Sequence, residues 1–250
     1  MLASIPMIPL ANLALAFVPV VVVLIILFRW GDDVVTPVYG IVRMIGQLLV
    51  VGYVLAFLIE KNEVALVLAA LGVMLSAASW IALRPLKADR GRLLLKAFAS
   101  IAVAGVTTLA IVTQGVLMLE PWFLPSKMIP LAGMIFASAM NAVSLVAERY
   151  YAETRNGIGY IEARRIALHA SLIPNTNTLF AVGIVSIPGM MTGQILAGAN
   201  PNDAVRYQIM VMAMVFGTAG IAAACFLQML KGMQMHNDEP AAAADQTAAK

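Results

Sequence analysis

The chain has 250 residues, 62% of them hydrophobic and only 12% charged, with a net charge of +3. A soluble domain carries roughly 25% charged residues, so a soluble fold is excluded. The apolar stretches run to about 20 residues without strict alternation, which excludes a β-barrel and leaves an all-α, polytopic membrane protein.

Seven apolar runs follow one another: about Met7–Phe28, Tyr39–Ile59, Val64–Leu83, Leu93–Leu119, Met128–Ala147, Asn177–Ala197 and Ala204–Leu230. No Lys or Arg precedes Arg29, so the first run lacks the basic start of a cleaved signal and reads as a retained span. The fourth and seventh runs exceed what a perpendicular span needs and are expected to tilt or project. Lys and Arg concentrate at the first, third and fifth connections and the C-terminus, with only Lys61, Lys127 and Arg206 on the other side. This bias places the N-terminus outside and the C-terminus in the cytoplasm. Trp30 and Trp80 flank the cytoplasmic side, and Trp122 with Phe123 marks the external one.

Two external turns carry helix-start signals. Ser126 is placed to cap the fifth helix, and Asn200-Pro-Asn-Asp203 offers a cap, a first-turn proline and an acid. The membrane domain is expected over residues 1–235, and the Ala-rich segment 236–250 as a disordered cytoplasmic tail.

The fifth and sixth helices are joined by a long cytoplasmic connection, Glu148–Pro174, expected as an excursion with a short amphipathic helix. Ile161, Arg165 and Leu168 share one side of that helix, an arrangement suited to gripping a soluble partner or to lying among lipid headgroups.

Carboxylates inside the spans, which a proton- or sodium-driven carrier would use, are missing. Glu60, Glu63, Glu120, Glu148 and Asp203 all fall at ends or turns. Arg43 lies near a cytoplasmic end, where it can snorkel or, with Gln47 one turn on, make a helix contact. Power is therefore more easily supplied from outside the membrane. The chain has no Gly-rich loop ending in Gly-Lys-Ser/Thr and cannot bind ATP by that route. No lysine sits mid-helix in the seventh run to hold retinal. His169 and His236 are the only histidines and form no metalloprotease motif, so hydrolase chemistry finds no support. The lone Cys225 reads as a small buried hydrophobe.

Uncharged polar groups do cluster. Ser138, Asn141, Ser144 and Glu148 form one face of the fifth helix. On the sixth, Gly183, Ser186, Met190, Gly193 and Ala197 alternate spacings of three and four, and Gly189-x-x-x-Gly193 offers a close-approach surface. These faces read either as tight helix packing or as the lining of a translocation path. Pro188-Gly189 is expected near the membrane midplane, about 18 Å in at 1.5 Å per residue, where proline frees a carbonyl and kinks the helix. The candidate path or gate therefore comprises Ser138, Asn141 and Ser144 with Ser186, Pro188, Gly189, Met190, Met191, Thr192, Gly193 and Gln194. The methionines, including Met190, Met191, Met210, Met212 and Met214, are either adaptable fillers or a soft-metal path. No residue is assigned as a metal ligand.

Three stretches resemble a known family. They are Arg43-Met-Ile-Gly-Gln-Leu-Leu-Val-Val-Gly52, Ile129-Pro-Leu-Ala-Gly-Met134 with Asn141-Ala-Val-Ser-Leu145, and Ser186-Ile-Pro-Gly-Met-Met-Thr-Gly-Gln-Ile-Leu-Ala-Gly198 with Ala204-Val-Arg-Tyr-Gln-Ile209. In colinear order they resemble the FetB-type iron-export ABC permeases, which include the plant aluminium-sensitivity permeases. The segment between Glu162-Ala163 and Pro174 departs from that pattern in lacking a Leu-Gly-Ala turn. The resemblance implies a permease subunit in the cell membrane, paired with itself and with a separate ATP-binding subunit. ATP and Mg would then be bound by that partner, with no cofactor in this chain and no nucleic-acid partner. Glu148, Arg149, Glu162, Arg164 and Arg165 would couple the ATPase stroke to the helices. A stand-alone channel or carrier for a small solute is the alternative.

Overall fold

The computed structural model describes residues 9–86 and 89–231. The expected tail 236–250 lies outside them. The elements are α1 (Leu10–Leu15), α2 (Val18–Trp30), α3 (Val35–Lys61), α4 (Val64–Ala82), α5 (Arg90–Ala110), α6 (Pro125–Arg155), α7 (Tyr160–Ala181), α8 (Gly189–Leu196) and α9 (Pro201–Met229). A π-helical turn, Ile111–Val116, continues α5. The described residues contain no strand beyond one isolated bridge between Val182 and Ser186. The expected all-α architecture is present.

Among the described residues six helical stretches are long and apolar enough to cross a membrane: Ala11–Trp30, Val35–Lys61, Val64–Ala82, Arg90–Val116, Pro125–Arg155 and Pro201–Met229. The sixth apolar run, expected as a further span over Asn177–Ala197, is not one helix. α7 stops at Ala181 and α8 starts at Gly189. Hydropathy averages over the intervening residues, whereas Pro188 lacks the N–H that an unbroken helix requires there.

The described residues form two compact units. One holds those up to Lys61 with Leu196–Gly198, and the other holds the rest. In the first, α2 buries no side chain and α3 buries only Leu58. Arg43 and Gln47 are both exposed, so the helix contact expected of them is not made within this unit.

In the second unit α6 is central and packs on α4, α5, α7 and α9. Its buried face repeats small and branched residues at helical spacing, from Leu131 and Ala132 through Ala139 and Ala142 to Val146 and Ala147. α9 answers with Ala219, Ala222 and Ala223 around a fully buried Phe226. In lipid no hydrophobic force drives helices together, so small residues that permit close approach carry the association. Gly105 on α5 is the tightest case. A Cβ there would stand 2.6 Å from Cε1 of Phe136. Three buried hydroxyls are satisfied within their own helices, with Ser79, Thr113 and Thr218 donating to the carbonyls of Leu75, Leu109 and Met214.

The caps divide. Asn200 does cap α9, accepting from the Asn202 N–H at 2.9 Å, with Pro201 at the first position and Asp203 in the first turn. Ser126 does not cap α6. That helix starts at Pro125, two residues earlier than a Ser126 cap would give; proline's fixed φ favours a first helical position, and Leu124 stands at the cap without a side-chain bond.

Candidate functional site

The first candidate region is the turn between α6 and α7. α6 has 31 residues, about 46 Å at 1.5 Å per residue, so it outruns a hydrocarbon core of about 30 Å. The expected excursion over Glu148–Pro174 is therefore corrected to a helical hairpin. α6 continues through Glu148 to Arg155, residues 156–159 turn, and α7 carries on through Pro174. Gly157 supplies the turn with its left-handed φ of 81°.

The hairpin is held from its own side chains. Arg149 pairs with the largely buried Glu153 at 2.6 Å. The Tyr150 and Tyr160 rings meet edge to face at 6.2 Å, and the Tyr160 hydroxyl donates to the Leu227 carbonyl near the end of α9. α7 buries Ala163, Ala167 and Ser171. The opposite face leaves Ile161 73% exposed, among Arg164, Arg165 and Glu162. Arg165 grips Glu162 through two hydrogen bonds of 3.0 and 2.6 Å. Those bonds hold the Glu162 carboxyl below its ordinary range and raise the Arg165 guanidinium. A cavity of about 770 Å³ opens here, lined by Tyr160, Ile161, Glu162, Arg164 and Lys231. Of the expected coupling residues, Glu162, Arg164 and Arg165 share this surface, Arg149 binds back to α6, and Glu148 is exposed on α6.

The second region is the break between α7 and α8. The chain closes it with its own backbone: the Ala181 carbonyl accepts from the N–H groups of Val185 and Ser186, and Gly183 N–H donates to the Ser186 carbonyl. Gly183 turns with φ 83°. Pro188 then begins the next helix, its carbonyl accepting from both the N–H and the hydroxyl of Thr192. Non-helical backbone at membrane depth is tolerated where protein or a cavity surrounds it. Here a cavity of about 410 Å³ lies beside the break, lined by Val182, Gly183, Ile187, Pro188 and Met191 on one side. Residues of α9, from Val205 through Gln208 to Met212, form the other.

The expected path residues separate on this frame. Pro188 and Met191 line the cavity, whereas Met190 packs against the core. Ser186, Gly189, Thr192 and Gly193 are exposed, and Gln194 is half-buried. A Cβ on Gly189 or Gly193 would meet nothing within 4 Å, so the close-approach surface expected there is not used among the described residues. On α6 the polar face also splits. Ser138 is buried and donates to the Val215 carbonyl of α9 at 2.9 Å, while Ser144 is half-buried and Asn141 exposed.

Gln208 of α9 belongs to this site although it is absent from the residues that the sequence pattern picks out. It is only 5% exposed, lines the cavity, and its Oε1 has no hydrogen-bond partner among the described residues. An amide one turn inside the apolar run Ala204–Leu230 is itself the signal, because intramembrane polar groups are kept for a reason.

Comparison with known proteins fits this picture. The profile of a family described as "Uncharacterised protein family (UPF0014)" matches residues 10–166 and 158–233. The chain is 33% identical over 240 residues to the "Probable iron export permease protein FetB" of Escherichia coli, covering 88% of this chain and 90% of that protein. It is 36% identical to a UPF0014 membrane protein of Synechocystis, over 70% of this chain and 74% of that one. It is 28% identical to the protein ALUMINUM SENSITIVE 3 of Arabidopsis thaliana, over 81% of this chain and 80% of that one. No solved structure matches. With six apolar helices among its described residues and a profile match along most of its length, the chain belongs to the UPF0014 family and is a multi-pass membrane protein, as its motifs implied.

Proposed function

We propose that the chain is the permease subunit of an ABC transporter, exporting a metal ion, iron first among them, on the power of a separate ATP-binding subunit. The observation that carries this reading is the α6–α7 hairpin. It joins an exposed apolar residue, Ile161, and the cations Arg164 and Arg165 to two long helices without an intervening flexible loop. A push on such a turn is transmitted along α6 to Ser138 and along α7 to the break. The relative whose name specifies iron export is 33% identical over nearly the whole chain, which supports the cargo.

The distribution of Lys and Arg puts this hairpin in the cytoplasm, provided that α7, the break and α8 together make one crossing. Two copies of the chain with two ATP-binding subunits complete the transporter, and ATP–Mg is bound by the latter. Glu148, Asn141 and Ser144, exposed or half-buried on α6, then face the partner copy or the path.

The deciding experiment pairs purification with flux. The tagged chain is expected to bring down an ATP-binding subunit from native membranes, and vesicles holding both are expected to move iron only with ATP. Ile161→Glu with Arg165→Glu should abolish the capture. Flux from the chain alone, without nucleotide, would overturn the proposal in favour of a stand-alone channel or carrier.

A further inference from the structure

The cavity beside the helix break holds a set of donors that ATP coupling does not use. Met191 on α8 and Met212 on α9 both line it, and Gln208 lies one turn before Met212. Gln208 is 5% exposed, and its buried Oε1 finds no hydrogen-bond partner among the described residues. A buried amide oxygen in that state needs an explanation, and an unfilled ligand position is one.

The chemistry of the wall narrows the ligand. Among the described residues no carboxylate, imidazole or thiol lines this cavity. Among the described residues no group of three or more His, Cys, Asp and Glu could hold a metal ion anywhere. Hard divalent cations want several oxygen ligands, usually including carboxylates, and dehydrate reluctantly. Their charge would stand uncompensated here, in surroundings made of Val182, Ile187, Val205 and Ile209. A singly charged ion suffers least from that desolvation, and thioether sulfur is the donor that soft ions select. Both thioethers come from unbranched, polarisable side chains that can adjust to a ligand.

We infer that this cavity is a binding site for a soft monovalent cation of the Cu(I) and Ag(I) class, with the Met191 and Met212 sulfurs as donors and the Gln208 amide oxygen as the accompanying polar contact. The adjacent Met190 takes no part, since it does not line the cavity. Because one donor comes from α8 and another from α9, an ion held between them ties the two helices together. The site stands independently of any ATP-driven export.

The test uses the full-length protein in lipid nanodiscs, with Cys225→Ser removing its single thiol. Ag(I), a redox-stable probe, is titrated calorimetrically. One tight equivalent is expected, unaffected by excess Fe(II) or Mn(II). Met191→Leu and Met212→Leu, which conserve volume, should each weaken binding about tenfold or more, as loss of a metal contact does. Gln208→Leu should weaken it several-fold, and Met44→Leu, on the exposed face of α3, not at all. Circular dichroism confirms that each variant is folded. Absence of a stoichiometric site, or binding indifferent to both methionine variants, overturns the inference. Neither result touches the export reading, which stands or falls on nucleotide-dependent iron flux.

Discussion

The packing around α6 and the segment joining α7 to α9 are both rich in small residues, and they use them in opposite ways. Where α5 crosses α6, Gly105 lets the Phe136 ring approach to a distance no side chain could share, with a hypothetical Cβ 2.6 Å from Cε1 and 2.8 Å from Cδ1. At Gly189 and Gly193 the same addition meets nothing. The core helices bury Ile135, Val143 and Phe226 almost completely, whereas Ile184 and Val185 in the break are 89% and 82% exposed. Glycine spacing alone therefore does not locate a contact. What distinguishes Gly105 is the aromatic ring opposite it, on another helix and 31 positions along the chain. In the break the Ala181 and Ser186 carbonyls accept the N–H groups of Gly183, Val185 and Ser186, so part of its backbone is satisfied within the segment, and the cavity beside it is where irregular backbone is tolerated.

Breaking the core side should produce the largest effect. Gly105→Leu forces atoms into the Phe136 ring, which is 3% exposed and has nowhere to go. A loss of about 3 kcal/mol is expected, at the upper end of overpacking, read as a fall in the unfolding midpoint in detergent or nanodiscs. Unchanged stability would mean that α5 and α6 can separate here, and the contrast with the break would collapse.

Two single hydrogen bonds sharpen the same contrast. Tyr160→Phe removes only the hydroxyl that donates to the Leu227 carbonyl, tying α7 to the end of α9. A cost of about 1 kcal/mol is expected, the usual worth of one such bond. Ser138→Ala loses the bond to the Val215 carbonyl and should cost about 0.6 kcal/mol, the average measured between membrane helices. Both are read by the same unfolding assay, and equal losses would remove the ranking.

The pair Glu162–Arg165 should matter less still, because both side chains stand in water at the hairpin. The Glu162 carboxyl has its folded pKa lowered by the Arg165 hydrogen bond. Its small contribution is thus present above the unfolded carboxylate pKa and is lost as the pH falls through the folded value. Unfolding midpoints of the protein and of Glu162→Gln should converge in acid and differ slightly at neutral pH. A difference that persists in acid would point to another cause.

How much of this was legible in the sequence varies by element. The spans α3, α4 and α9 start and stop within a few residues of their apolar runs, since a bilayer demands about 20 such residues. Asn200 was readable as a cap because its proline and acid followed in order. Hydropathy failed wherever a helix left the membrane. Glu148–Arg155 is polar enough to pass for a loop, yet its Glu, Arg and Ala residues are good helix formers and α6 runs straight through them. The real punctuation, Asn156-Gly157-Ile158-Gly159, was in plain view. At the site, Pro188 marked the break, but nothing local tells which of two adjacent methionines turns to the cavity. That is settled by α9, whose Gln208 and Met212 lie on the opposite wall.

Gly193→Leu is the variant in which the two regions make opposite forecasts. If Gly193 were a packing glycine like Gly105, leucine would cost kilocalories and unfold the chain before any function could be measured. With nothing within 4 Å of a Cβ there, the expected change in stability is about 0.5 kcal/mol or less, and helix propensity favours leucine over glycine. The variant should therefore express and unfold like the parent. That leaves transport as an independent readout. A folded Gly193→Leu protein that no longer moves cargo would show that this face is used by something outside the chain's own fold, such as a second copy or the moving path. A folded protein that transports normally would show that the glycine spacing on α8 is incidental. A destabilised one would mean that α8 packs against its own chain after all, and the two regions would no longer differ.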